Sequence, residues 1–389
     1  NPLLPKNLIK SWYNASIKAR HNRSVETGEA ADMIPFCIRS TQRRRRRAAC
    51  LAAALLLAFS CLGCGGKPTA CPEETGGPQD TPAQRREVEG GEASGAVPIY
   101  RMDPIREDVV NILLVGTDSR RTTGGGVGGN ADTVILASFD TTRNRVTLVS
   151  FLRDAVVILG DQSGEFGKLK KAYTDGGMGM LVNTVNSSFE LDIQRYAAVG
   201  LDGFAALIDE ALDGLEIELS REEIDFINER IASYENEADF IKNCPPVTAE
   251  PGLVHLNGAQ VLLFVRNRSV PVRDSAAGQA GDYDRAARQR EVLTLIYEKL
   301  LGTAPVTAVP GLVSFALRHV QTNLPPEEIC RLGERLLTED ITIESLSVPF
   351  PGAWEYGGDG SGILFDRNTT APRLHLLMYE PETTEVKPS

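Results

Sequence analysis

From residue 109 onward, apolar and polar positions fall into blocks with the lengths of strands and helices. VVNILLVG (109–116), DTVILASFD (132–140) and RVTLVSFL (145–152) are short apolar runs of the kind buried strands show. The polar turn TTRN between the last two predicts a hairpin. RYAAVG (195–200), GLEIELS (214–220), ITIESLSVPF (341–350) and SGILFD (361–366) have strand patterns. Helical spacing is found in MGMLVNTVNSSF (178–189), LDGFAALIDEALDG (201–214) and NGAQVLLFVRNR (257–268). DYDRAARQREVLTLIYEKLLG (282–302) is the strongest helix, acidic at its start, with Lys299 near its end and Gly302 beyond. VPGLVSFALRHV (309–320) and PPEEICRLGERLL (325–337) are also helical. Strands and helices alternate without a strict βαβ rhythm. The pattern predicts an α/β fold: a mixed central β-sheet flanked by helices on both faces. Residues 221–250 are charged and irregular, an expected insertion of helix and loop.

The first hundred residues have a different character. Residues 1–32 show no core pattern and are expected to be a non-native upstream extension, with a start at Met33. Residues 33–66 have the form of a signal or anchor: five arginines (43–47), then a 17-residue apolar run (48–64). This charge order keeps the N-terminus inside and sends the rest across the membrane. Both an uncleaved anchor and acylation at Cys61 or Cys64 fit the segment. Residues 67–104, dense in Gly, Pro, Glu and Gln, are expected to be a disordered extracellular linker. Residues 105–302 form the expected catalytic domain. Residues 303–389 are an α/β portion expected to pack on it.

With 41 Lys+Arg against 52 Asp+Glu, the chain has a formal net charge of −11. This argues against a nucleic-acid partner, which calls for a basic face. Any anion must be held by a local cationic pocket. Arginines supply one: Arg285, Arg288 and Arg290 lie within six residues, and Arg266 and Arg268 end the preceding helix. Arg285 and Arg288, three apart, share a helix face. Arginine without lysine suits two-pronged contacts to phosphate oxygens. Arg153 and Asp154 interrupt an apolar run, as a structural ion pair or as site residues. Asp118 and Asp132 flank a glycine-rich loop between two strands, where two carboxylates could hold Mg²⁺ with water and a phosphate. The alternative is turn and capping roles. The loop is not a nucleotide-binding GK[ST] loop. The four histidines lie away from these groups, and no GxSxG occurs, so serine-hydrolase and histidine–zinc chemistry are poorly supported. Cys244 and Cys330 are either a disulfide or, as preferred here, buried thiols.

The motifs NILLVGTDSR, ADTVILASFD, VTLVSFLRD, KLKKAY, DGFAALIDEALDGLEI, LNGAQVLLFVRNR and GDYDRAARQREVL occur in this order. Together they resemble the LytR-CpsA-Psr family of cell-wall glycopolymer ligases, over roughly residues 109–302. The resemblance implies a membrane-anchored, extracytoplasmic enzyme. It would transfer a glycopolymer from a polyprenyl-pyrophosphate carrier to a peptidoglycan hydroxyl, leaving a phosphodiester. By motif position, Asp118 and Asp132 would lie near Mg²⁺, with Mn²⁺ as an alternative. Arg153, Arg266, Arg268, Arg285 and Arg288 would contact the pyrophosphate, with Gln289 the motif glutamine. Asp118, Asp132 or Asp154 would accept the incoming hydroxyl's proton. The lipid tail would occupy an apolar tunnel lined by helices such as 178–189 and 201–213. Lys170 stands where the family often has asparagine, and a cation there could also meet phosphate. Rival readings are a polyprenyl-pyrophosphate phosphatase or phosphodiesterase, and a non-catalytic receptor for wall polymer or lipid phosphate.

Overall fold

Alternation in the first strand divides the molecule. In β1 (Val109–Thr117), Ile112 and Leu114 point into one apolar core, and Leu113 and Val115 into another on the opposite face. The computed structural model describes residues 97–118, 130–161, 163–233, 241, 243–272, 281–303, 309–357 and 362–380. β2 (Ala131–Asp140) and β3 (Arg145–Phe151) form the expected hairpin, with Asp140 opposite Arg145. A small ribbon of β4 (Val156–Ile158) and β5 (Phe166–Lys168) leads into α1 (Leu169–Phe189). Then come β6 (Arg195–Val199) and α2 (Leu201–Ala206), the latter running into one wide turn over Leu207–Ala211. β7 (Leu215–Leu219) and β8 (Gly252–Leu256) pair as a hairpin around α3 (Arg221–Ala232). α4 (Gly258–Arg266), α5 (Asp282–Thr303) and α6 (Val309–His319) follow. The chain continues through β9 (Val320–Thr322), α7 (Pro326–Thr338), β10 (Thr342–Val348), β11 (Trp354–Tyr356), β12 (Ile363–Phe365) and α8 (Arg367–Tyr379).

The main sheet has the order β10-β3-β2-β1-β6-β9. β1 pairs parallel with β6, and β3 with β10; the other ladders are antiparallel. The sheet is therefore mixed, and both faces are covered. One core packs residues of α2, α3, α4, α5, α6 and α7 against it, the other residues of α1 and α8. Strands β9 and β10, from the C-terminal portion, form the two sheet edges, so that portion is part of the same body.

One expectation is corrected here. Residues 97–104 do not belong to a disordered linker. Val97 N donates to Gly176 O, Tyr100 N donates to Asn183 Oδ1, and Asn183 Nδ2 donates to Pro98 O. Gly179 permits this close approach, since a Cβ there would lie 1.6 Å from Val97 O. Composition is blind to such a docking groove. The expected insertion of helix and loop at 221–250 begins with its helix, α3, whose start carries a capping box between Ser220 and Glu223. The predicted extension and signal or anchor lie outside the described residues. Among the described residues no helix is long and apolar enough to cross a membrane. Cys244 is a buried thiol 3.7 Å from Asn257 Oδ1, and no disulfide joins it to Cys330.

Candidate functional site

A cavity of about 430 Å³ lies between the sheet and the helices of the first core. Its interior is apolar: Leu114 and Ile135 from the sheet, Phe204, Leu262, Leu293 and Ile296 from the helices. Its polar lining includes Asp118, Asp132, Arg266, Arg268, Arg285 and Gln289. That size and that mix of an apolar body with a few polar groups are typical of a ligand site.

Local structure explains each placement. β1 ends at Thr117, and Asp118 continues the ladder by donating its N–H to Asn130 O at 3.1 Å. Its carboxylate accepts from Asn130 N at 2.5 Å and from Asn130 Nδ2 at 3.1 Å. Across the ladder the register jumps, with Gly116 opposite Thr133 but Thr117 opposite Ala131. Asp132 is the extra residue of this bulge, and such a bulge re-aims a side chain. Simple alternation would have grouped Asp132 with Val134 and Leu136 in the second core. On α5, Arg285, Gln289, Val292, Leu293 and Ile296 form one stripe along the cavity. α4 starts at a capping box between Asn257 and Gln260 and ends at Arg266.

The cationic groups meet around a carboxylate that the sequence reading passed over. Asp282, the first residue of α5, lies 3.7 Å from Arg153 Nε, 3.7 Å from Arg268 Nε and 3.3 Å from Arg285 Nη2. Arg153 also pairs with Asp132. Four arginines (153, 266, 268 and 285) thus gather with three aspartates (118, 132 and 282). Burial pushes the Arg285 guanidinium down to about 10; Asp282 opposes this, while Arg153 and Arg268 add to it. Arg153 Nε, Arg285 Nε and Asp282 Oδ2 are buried without a hydrogen bond among the described residues. Unsatisfied buried groups are costly, and the positive excess favours an anion that could engage them. Asp282 had one signal in the sequence, its position three residues before Arg285.

Other expected site residues stand apart from the cavity. Arg288 is fully buried and faces α3. It donates to Glu223 Oε1 at 2.9 and 3.3 Å, to Val270 O at 2.7 Å and to Asn267 O at 3.3 Å. It braces the loop that presents Arg266 and Arg268 and has no free edge for a phosphate. The shared-face expectation for Arg285 and Arg288 holds for the helix surface but not for what each meets. Lys170 lies 2.9 Å from Asp154 Oδ1, with Lys168 at 3.8 Å. Arg290 donates to Ser150 and Ser347 on the sheet. Of the two helices expected to line a tunnel, 201–213 contributes Leu201, Phe204 and Leu207. The helix at 178–189 packs in the second core, across the sheet from the cavity. Phe226 and Arg230 of α3, inside the expected insertion, line the cavity instead.

Burial opposes ionisation of Asp154, but the hydrogen bond and charge of Lys170, with Arg153 and Lys168, outweigh it and hold the carboxyl below its ordinary range. A carboxylate so held is a weak base. It stabilises the fold above its unfolded pKa, near 3.9, and this contribution is lost as pH falls through the lower folded value. Asp154→Asn should therefore lower the melting temperature at neutral pH, and the two melting curves should converge below about pH 4. An offset that stays constant down to about pH 2 would contradict the pairing.

No three His, Cys, Asp or Glu side chains converge as a metal cluster among the described residues. Asp118 and Asp132 are an oxygen-only pair on one cavity, which suits Mg²⁺ if phosphate and water complete its shell.

The sequence profile of the LytR_cpsA_psr family matches residues 79–369. Biofilm regulatory protein A of Streptococcus mutans is 31% identical over 226 residues, 56% of this chain and 50% of that protein. The polyisoprenyl-teichoic acid–peptidoglycan teichoic acid transferase TagV of Bacillus subtilis is 26% identical over 268 residues, 67% of this chain and 61% of that protein. The chain thus spans between half and about three fifths of the length of these curated relatives. The fold is similar to that of YwtF (TagT), a LytR-CPS2A-psr family protein solved with bound octaprenyl pyrophosphate lipid. The TM-score is 0.50 at 18% identity, covering 75% of this chain and 99% of that one. With the ordered motifs, the mixed sheet between helical layers and a profile match across most of its length, the chain belongs to the LytR_cpsA_psr family.

Proposed function

We propose that this protein transfers a glycopolymer from a polyprenyl-pyrophosphate carrier to peptidoglycan, at the outer face of the membrane that its N-terminal segment enters. One observation carries the reading: a single cavity joins an apolar interior to an arginine cluster with unsatisfied donors. A lipid diphosphate has matching parts, an apolar tail and a compact dianion. TagV is named as a transferase to peptidoglycan, and TagT was solved with octaprenyl pyrophosphate; both fit this assignment.

In the proposed reaction, an acceptor sugar hydroxyl forms a bond to the phosphorus that bears the glycan. The bridging P–O bond breaks, and polyprenyl phosphate leaves with the electron pair. Arg285, Arg268 and Arg153 oppose the charge that develops on the phosphate oxygens. Gln289, one turn from Arg285, offers an amide to the same group. The hydroxyl proton goes to Asp118 or Asp132. Asp154 is the poorer candidate, because it is committed to Lys170 and does not line the cavity. Asp118 and Asp132 would also hold Mg²⁺ or Mn²⁺, which when bound supplies positive charge to the phosphate oxygens.

The test supplies the full chain with a polyprenyl-pyrophosphoryl saccharide, with and without peptidoglycan. The expected products are saccharide phosphate on the peptidoglycan and an equal amount of polyprenyl phosphate, only when the acceptor is present. Equal release of soluble saccharide phosphate without acceptor would mean a phosphatase. Asp118→Asn and Asp132→Asn should each abolish transfer, and added chelator should do the same. A protein that binds the lipid but never turns it over would be a receptor.

A further inference from the structure

Outside the cavity lining, a row of three aromatic rings starts beside the arginine cluster and has no part in the reaction above. Tyr283 follows Asp282 directly in the chain. Its ring stacks on Trp354, with centroids 5.8 Å apart at 25°. Trp354 in turn meets the ring of Tyr356 edge-on, at 4.9 Å and 83°. Trp354 and Tyr356 both belong to β11, which pairs with β12. That hairpin is fastened to the site, because Ile363 N donates to Asp154 O at 2.9 Å, one residue from Arg153. Leu152, Ala286 and Ile363 pack beneath Tyr283 and Trp354. The Tyr283 hydroxyl is used by Pro349 O at 2.7 Å, which fixes that ring as a base. At the outer end the row is open: Tyr356 is 61% exposed.

This arrangement is out of keeping with simple core packing, which would turn the large ring inward. A row of rings with a fixed, half-buried end and an open outer end presents flat apolar surface beside a polar tip. Pyranose rings match such a surface: their C–H faces stack on aromatic rings while their hydroxyls stay hydrated. The position fits as well. The tail belongs in the apolar cavity and the diphosphate at the arginines, so the sugars must lie outside the cavity, on the neighbouring surface.

We propose that Trp354 and Tyr356, backed by Tyr283, form a glycan subsite next to the diphosphate cluster, binding pyranose units by stacking. The inference rests on the ligase reading for the identity of its ligand. The sugars have two sources in that reaction, the polymer on the lipid and the peptidoglycan strand.

The chain has two tryptophans, Trp12 and Trp354, so Trp12→Phe leaves Trp354 as the sole indole reporter. The full chain with this change is titrated with three probes: geranyl pyrophosphate, geranyl-pyrophosphoryl-N-acetylglucosamine and a soluble N-acetylglucosamine tetramer. Saturable change in Trp354 fluorescence is expected with at least one of the two sugar probes. Tyr356→Ala, at an exposed position that should not disturb folding, is expected to weaken that probe by about fivefold or more, and Tyr356→Phe to leave it unchanged. Geranyl pyrophosphate should bind Tyr356→Ala and its parent alike. Weakening of the lipid-linked sugar alone assigns the subsite to the donor, and weakening of the free tetramer alone assigns it to the acceptor. If Tyr356→Ala moves neither sugar probe, the subsite is refuted while the ligase reading stands. If the parent takes up no geranyl pyrophosphate, the ligase reading itself has failed.

Discussion

Arg285→Ala is expected to lower kcat/KM for glycopolymer transfer by about 10²–10³-fold, the loss seen when one preorganised donor to a developing oxyanion is removed. The residue is only 5% exposed, lines the cavity and lies 3.3 Å from Asp282. Its charge is already penalised by burial, so a bound diphosphate would relieve that penalty as well as accept its hydrogen bonds. Removing it also leaves Asp282 with one fewer cation beside the incoming phosphates, which adds like-charge repulsion. Arg285→Lys should recover little, since a lysine offers a point charge without the planar fork. Steady-state rates with a polyprenyl-pyrophosphoryl saccharide would measure this. A variant within about threefold of the parent protein would remove Arg285 from the proposed reaction.

The second large effect concerns stability. Arg288→Ala is expected to destabilise the fold by about 3–5 kcal/mol, because it strands a buried carboxylate. Arg288 is 0% exposed and Glu223 7%. Glu223 also caps α3, where its other oxygen accepts from Ser220 N at 2.9 Å. Loss of Arg288 therefore releases α3, α5 and the loop at 267–270 together. Denaturant melts would read the loss, and Glu223→Gln, which keeps a hydrogen-bond acceptor, should cost less. If Arg288→Ala left stability unchanged but weakened diphosphate binding, Arg288 would be a ligand residue and the bracing role assigned here would be wrong.

These two arginines show how far the sequence goes. Helical periodicity correctly sets Arg285 on one face with Val292 and Ile296, because a stripe on one helix is a local property. It cannot say what Arg288 meets, because that depends on Glu223, 65 positions upstream on α3. Strands β2 and β3 are buried along nearly their whole length and on both faces, so alternation does not reveal which helix covers which side. The resemblance implies a tunnel lined by the helix at 178–189, but that helix packs in the second core. The sequence singles out Asp132 by its place at a loop, but its aim comes from a bulge visible only in the register. The aromatic row joins residues on α5 and β11, and nothing in either segment alone points to the other.

The account turns on one cavity holding both ends of a lipid diphosphate. Calorimetric titration of the full chain with geranylgeranyl pyrophosphate, geranylgeraniol and inorganic pyrophosphate tests that most directly. The intact ligand is expected to bind one per chain, with each half weaker by about 100-fold or more, since either half alone loses the contacts of the other. Inorganic pyrophosphate binding as tightly as the lipid, or the alcohol as tightly as its diphosphate, would contradict it.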